Sequence, residues 1–466
     1  MNDARNELCR CGSGKKYKKC CGRLTAPSAA STARAATHPI PLSPDLGVER
    51  FGDANSSDPF EAAMVRLARR GNVSQAESHI RARLAHDPRN ARALNMLGWI
   101  AAAVGQWSHA ARSFESAIAA SPSWQSPRGN LERIAHHLSA PPTPAVAGER
   151  FLLIKAWGYG FWSDVSHVLG QLLVARLSLR TPVVHWGANS LFSPGPESNA
   201  WIEFFESVSN TGIESLAQSG FDYWPPKWTR ESLGVAELQK FSGPYSRVAG
   251  LWLLSRGERV IISDFFTGIL DLIPWIPEDH PLRGRSVHDL ARMLVREHLR
   301  PKTAIVDEVD RFCAAHLPPG GWLAVHARGS DKALEIPQLD KVNRETFARI
   351  DARLASNPNW PIFLMTDDAR VLANHRARYG ERIVTTACSR TGTDQGIHYQ
   401  KSTDPSQLGR EVLVDTLIAA RATAFVGNGF SNASVIVRYL KNWPEGDCVL
   451  IGPNLFERAN PVLHAW

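Results

Sequence analysis

Eight short apolar runs between residues 150 and 451 constrain this chain more than any other feature: FLLIKAWG, TPVVHWG, ERVIIS, GWLAVHARG, WPIFLMTDD, RIVTT, ATAFVGNG and DCVLIG. Runs that stay apolar instead of alternating suit strands covered on both faces, as in a parallel sheet whose crossover helices lie above and below it. The segments between them include DVSHVLGQLLVARL, DARVLANHRARYG and SNASVIVRYL, which are long enough to be those helices. An α/β fold follows. About 315 residues in this part fit two doubly wound halves better than one. The polar stretch near residues 300 to 320 is the natural division, giving expected domains at 148–310 and 311–466.

Ahead of this region the pattern changes. Leu67 and Ala101, Gly71 and Gly105, Ala76 and Ala110, Ile80 and Phe114, and Pro88 and Pro122 fall in register at a spacing of 34 residues. Small residues recurring where two helices must approach closely resemble the tetratricopeptide repeat. The second unit keeps Leu94, Leu97, Gly98, Ala110, Phe114, Ala117 and Pro122 at that family's positions, whereas the first departs at Met64 and Arg83. We expect helical repeats over 58–140, with 126–138 as a cap or the array packed on the next domain, because two units seldom stand alone. Residues 24–57, rich in Ala, Ser, Thr and Pro, read as a flexible linker.

Four of the seven cysteines crowd into residues 9 to 21 as Cys9-x-Cys11 and Cys20-Cys21, separated by GSGKKYKK. Two close thiolate pairs folded together at a glycine-rich turn supply the tetrahedral soft-ligand set that structural Zn²⁺ takes. The segment 1–23 resembles the SEC-C motif, also through Lys15, Tyr17 and Lys19. It has no open ligand position, so a structural role in docking is expected.

The net charge of +8 would suit a nucleic-acid binder if it were spread over one face. Seven Lys/Arg against two acidic residues lie in residues 1–23, so most of the excess is local and no specific nucleic-acid partner is expected. The start, MNDARNELCRCGSG, has no apolar core of a signal peptide, and no later stretch is long and apolar enough to span a membrane. A cytoplasmic protein is expected.

The first apolar run leads into Gly158-Tyr-Gly160-Phe-Trp-Ser163, a glycine turn between strand and helix. Such turns let a ligand approach the backbone. A dinucleotide fingerprint would add a third glycine and an acidic residue about twenty positions on. The chain has Ser163 and then Val183-Val184-His185-Trp186, which disfavours a nicotinamide site.

Two later segments begin where a buried strand ends: Val325-His326-Ala327-Arg328-Gly329-Ser330-Asp331-Lys332, and Leu364-Met365-Thr366-Asp367-Asp368 with Val426-Gly427-Asn428-Gly429-Phe430-Ser431-Asn432 downstream. The order H-x-R-x-x-D-K, T-D-D, V-L-V-D, V-G-x-x-F-S resembles the α1,6-fucosyltransferase family, which includes the bacterial nodulation fucosyltransferases. GYGFWSDVSH is similar to that family's first glycine turn, with His167 on its histidine. The resemblance implies a GT-B pair of domains that binds GDP-fucose in the C-terminal half and transfers fucose with inversion, without a catalytic metal.

By resemblance, Arg328 binds the β-phosphate and stabilises the leaving GDP, His326 and Asp415 hold guanine and ribose, and Asp367, Asp368, Ser431 and Asn432 line the donor pocket. Glu335 or Asp331 is the candidate base. Gly158, Gly160, His167 and Lys332 fall on the acceptor side. An always-charged guanidinium fork suits a departing diphosphate. The free N–H groups at the start of SNASVIVRYL suit a phosphate too. Two departures stand out: Gly329 replaces a second arginine, and the acidic residue after Asp331-Lys332 comes one position early, at Glu335. The rival expectation is a non-catalytic adaptor, in which the zinc module and repeats dock a protein and the α/β region is a degenerate sugar-nucleotide binder.

Overall fold

The computed structural model describes residues 51–69, 73–103, 105–139, 148–195, 197–225, 227–235, 254, 256–263, 266–329, 339–394, 396–397, 404–452 and 454. The cysteines at 9, 11, 20 and 21, and Asp331, Lys332 and Glu335, lie outside the described residues.

Five helices come first: α1 (Pro59–Arg69), α2 (Val73–His86), α3 (Ala91–Ala103), α4 (Trp107–Ala120) and α5 (Gln125–Ser139). The 34-residue register is visible in their packing. Ala76 and Ala110 are both fully buried, as are Ile80 and Phe114. Gly98 lets α3 and α4 close, since a Cβ there would come within 2.6 Å of the Phe114 ring. Residues 51–57 differ from the expected linker. Phe51 is fully buried against Trp99, ring centroids 5.0 Å apart, and the Ser56 hydroxyl donates to Glu61 Oε2 at 2.6 Å. Burial of this aromatic ring, with the Ser56 and Asp53 hydrogen bonds to Glu61, offsets part of the cost of ordering the segment.

The array is docked on the following domain. Arg81 stacks 4.9 Å from the ring centroid of Trp275, His109 lies 5.5 Å from the same ring, and Arg112 pairs with Glu278 at 3.4 Å. Trp275 is 1 % exposed. Burial, then the neighbouring arginines Arg112, Arg283 and Arg81, lower the His109 pKa to about 4, so this contact uses a neutral imidazole.

All eight apolar runs form parallel strands. In the first sheet β1 (Phe151–Lys155), β2 (Thr181–His185), β3 (Tyr223–Trp224) and β4 (Val260–Ile262) lie in the order β2-β1-β4-β3. Between them come α6 (Phe161–Leu177) and α7 (Trp201–Phe204). Helices α8 (Ile269–Leu272), α9 (Val287–His298) and α10 (Thr303–His316) lead to the second sheet. This holds β5 (Leu323–His326), β6 (Ile362–Met365), β7 (Ile383–Val384), β8 (Ala424–Asn428) and β9 (Cys448–Ile451), ordered β7-β6-β5-β8-β9. Its crossovers include α11 (Leu339–Ser356), α12 (Ala369–Tyr379), α13 (Pro405–Arg421) and α14 (Asn432–Leu440). The chain runs from β5 outward to β7, then returns beside β5 with β8. That reversal is the doubly wound switch point.

The two halves meet through helices. α6 and α9 pack on α14, the Trp162 indole N–H donates to Thr416 Oγ1 at 2.8 Å, and Arg292 reaches Asn442 Oδ1 at 2.7 Å. One apolar cluster runs from Phe51 through Trp186 and Trp275 to Tyr439. α10 crosses the expected boundary at 310/311, and its Glu308 pairs with Arg410 of α13.

Candidate functional site

The switch point between β5 and β8 gathers most of the expected donor-site residues. His326 ends β5, Arg328 follows it, Asp367 and Asp368 follow β6, and Asn428 ends β8 just before α14. The carboxyl edge of a parallel sheet opens here because the chain must leave toward opposite faces.

His326 is 6 % exposed, and its Nδ1 lies 2.6 Å from the Ser434 hydroxyl. Ser434 Oγ also accepts the backbone N–H of Asn428 at 3.1 Å, so one hydroxyl ties the end of β8 to the imidazole. Burial, helped by Arg328 and opposed by Asp367, lowers the His326 pKa to about 4. A neutral imidazole results, with one donor and one acceptor nitrogen.

Arg328 forms an ion pair with Asp367, with side chains 17 % and 14 % exposed. Asp368 is almost fully buried and caps α12, accepting the Arg370 N–H at 2.8 Å; the Arg370 guanidinium also pairs with it at 2.7 Å. This explains Gly329. A Cβ at that position would lie 2.5 Å from Asp368 Oδ2, 2.7 Å from its Cβ and 2.8 Å from its Cγ, so no larger side chain, an arginine included, fits without displacing the cap.

Asp415 lies on α13 and takes hydrogen bonds from Thr386 Oγ1 at 2.6 Å and from the Cys388 thiol at 3.6 Å. Burial raises its pKa to about 6 against the lowering effect of Thr386 and Arg390. Ser431 N-caps α14 but makes no side-chain bond to the helix. Its hydroxyl and the first-turn N–H groups at Asn432 form an anion-favouring end, adding to the positive end of the helix dipole. Asn428 Oδ1 is buried there with no hydrogen-bond partner among the described residues.

The glycine turn of the first sheet is built differently from a phosphate cradle. Gly158 has φ +90°, which a side chain would resist. The N–H groups of Gly158 and Tyr159 point at the Asp164 carboxylate, each within 3.1 Å. The protein's own carboxylate occupies the place an anion would take. Gly160 starts α6. His167, expected on the acceptor side, is fully buried, stacked on Phe266 at 5.6 Å and near Trp157 at 5.7 Å. Lys332, Asp331 and Glu335 fall outside the described residues. Ser434, Thr386 and Arg390 were missed by sequence reasoning. Ser434 has a signal in retrospect, as a hydroxyl two positions into a helix that follows a strand-end asparagine.

Two parallel α/β domains, the second with its switch point beside Arg328, make this a GT-B-like pair of doubly wound domains preceded by an all-α region. Residues 5–23 match the SEC-C motif. No curated protein matches the chain. Among solved structures, the chain is similar to fucosyltransferase NodZ from Bradyrhizobium, at 21% identity and a TM-score of 0.44 over 63% of this chain and 93% of that one. It is also similar to POFUT1 in complex with GDP-fucose, at 12% identity and a TM-score of 0.43, covering 68% and 98% of the two chains. A variant of Arabidopsis thaliana FUT1 in complex with GDP matches at 10% identity and a TM-score of 0.39, covering 72% and 79%. Among the described residues no helix is long and apolar enough to cross a membrane.

Proposed function

We propose that the chain transfers a sugar, fucose in the first instance, from a GDP-sugar to an acceptor hydroxyl with inversion. The observation that carries this reading is Arg328 just past the carboxyl end of β5 at the switch point, with α14 starting after β8 at an N-cap, Ser431, that makes no side-chain bond to the helix. A diphosphate seated there meets a guanidinium and a row of backbone N–H groups. His326 offers a neutral imidazole, and Asp415 an acceptor for the N–H edge of guanine.

In the reaction, the acceptor oxygen bonds to the anomeric carbon as the bond from that carbon to the β-phosphate oxygen breaks. The electron pair leaves with GDP, where Arg328 stabilises the growing charge. The acceptor proton passes to a carboxylate, with Glu335 or Asp331 as the candidates. In the same reading Cys9, Cys11, Cys20 and Cys21 hold one structural Zn²⁺, and the zinc module and tetratricopeptide-like helices dock a protein partner in the cytoplasm.

Gly329 favours a second reading, a degenerate binder acting as an adaptor, because Asp368 leaves no room for a second phosphate-binding arginine. A thermal-shift comparison of GDP-fucose, GDP-mannose, UDP-GlcNAc and GDP tests the first reading. A ligand at a hundred times its Kd stabilises by about 2.7 kcal/mol. A shift with GDP-sugars, accompanied by release of GDP on turnover, supports the transferase. Binding without turnover supports the adaptor, and no shift with any of the four refutes both donor-site readings.

A further inference from the structure

A second cavity, of about 310 Å³, opens on the first sheet at the carboxyl end of its edge strand β2, on residues that the donor site does not use. It is a built feature. Asn199 Oδ1 accepts the Trp186 N–H at 2.8 Å while its amide donates to the Val184 carbonyl at 2.9 Å, and Ser209 Oγ donates to the Pro182 carbonyl at 2.7 Å. These bonds hold the segment 197–214 alongside β2, over the fully buried Trp201.

His185, the last residue of β2, lines this cavity. It is 7 % exposed, and neither ring nitrogen is hydrogen-bonded to a described residue. Its ring nitrogens therefore remain open to whatever fills the cavity. Burial and then Lys155 lower its pKa, opposed by Glu214 and Glu197, so the imidazole is neutral with one donor and one acceptor nitrogen. Lys155 itself is used elsewhere, donating to the Leu233 carbonyl at 2.8 Å and lying 4.3 Å from the Trp228 ring centroid.

Glu197 and Glu214 bring two carboxylates to the cavity, and among the described residues no Lys or Arg lines it. Such a lining repels anions, which excludes phosphates and acidic sugars. Carboxylates accept from hydroxyls, a neutral imidazole both donates and accepts, and Val208 and Ile213 offer apolar surface for C–H faces. Its volume is at the small end of the range for ligand sites, about 300–1,000 Å³, which suits a short saccharide. We propose that this cavity binds a neutral, hydroxyl-rich saccharide, with His185, Glu197 and Glu214 as its hydrogen-bonding groups. The site goes beyond the donor reading and stands whether or not the C-terminal half transfers a sugar.

Saturation-transfer NMR and calorimetry on the full chain test it, with lactose, cellobiose and maltose as probes and glucuronic acid and glucose 6-phosphate as anionic controls. At least one neutral disaccharide should bind and both anions should fail. His185→Ala should weaken binding about tenfold, the worth of one hydrogen-bonding group. Glu214→Gln, at the exposed rim and harmless to folding, should weaken it similarly, while GDP-fucose affinity, read in the same samples, stays at the wild-type value. The proposal is overturned if no neutral disaccharide binds at about 10 mM, if the anions bind equally well, or if Glu214→Gln binds as the wild type does. A parallel loss of GDP-fucose affinity in both variants would also overturn it, since the effect would then be global. Failure of GDP-fucose to bind the wild type, by contrast, refutes the donor reading alone.

Discussion

Replacing Arg328 separates the ion pair it makes with Asp367 from the role proposed for it, stabilising a leaving diphosphate. The pair is largely buried, at 17 % and 14 % side-chain exposure, so it exceeds a surface ion pair, whose worth is about 0–1 kcal/mol. Breaking a fully buried pair costs about 3–5 kcal/mol. With residual exposure and the other interactions of Asp367, Arg328→Ala should lower stability by about 1–3 kcal/mol. The catalytic loss is a different quantity. Removing a preorganised donor to a developing anion costs about 3–4 kcal/mol in the barrier, or about 10²–10³ in kcat. Arg328→Ala combined with Asp367→Asn removes the orphaned charge, so the double variant should recover stability and leave kcat as low as the single one. Arg328→Lys should recover little of the rate, because an ammonium lacks the paired donors of the fork. Denaturant melts give the first quantity, and stopped-time assays of GDP release from GDP-fucose, run with and without EDTA, give the second. A single variant within tenfold of wild-type kcat, or a double variant with restored rate, would refute the role given to this arginine. Activity lost in EDTA and restored by Mn²⁺ would refute the metal-free displacement.

Asp415 should make donor binding pH-dependent. Its pKa is raised to about 6, so it becomes protonated as pH falls through that value, and a protonated carboxyl is a poorer acceptor for guanine N–H groups. GDP-fucose affinity measured by calorimetry should fall below pH 6 and be flat in Asp415→Asn. For the free protein the sign is opposite, because the folded pKa lies above the unfolded value: the contribution to stability is full at low pH and lost as pH rises through 6. Gly329→Ala should destabilise the fold by about 1–3 kcal/mol, since its Cβ would overlap the buried Asp368 side chain; a melt equal to wild type would mean that the cap has room to move. Purified chain should carry one Zn²⁺, lost in Cys20→Ser with the melting of the α/β part unchanged, as metal analysis and calorimetry would show.

The strands were legible because a parallel sheet needs apolar residues on both faces, and that demand writes itself into consecutive positions such as Leu152, Leu153 and Ile154, all fully buried. β3 was not, since two residues, Tyr223 and Trp224, make too short a run to stand out from a loop. In the helices ahead of the sheets, the small residues Ala76 and Ala110, 34 positions apart, are both fully buried. At the site the legible part was residue type at a strand end: His326, Arg328 and Asp367 fall where an open α/β sheet binds ligands, and position along the chain is enough to say so. What each residue touches was not legible. The serine that orients His326 lies 108 residues away, the aspartate paired with Arg328 lies 39 away, and neither spacing has a periodicity to betray it. Gly329 shows the difference most clearly. From sequence it is only an arginine that is missing, a loss with no stated cause. In the structure the buried cap of α12 fills the space, so the exchange of arginine for glycine and the tight seating of Asp368 are one feature. In the proposed reading, the charge offered to a diphosphate therefore rests on Arg328 and the start of α14, with glycine at 329 where the resembled family has a second arginine.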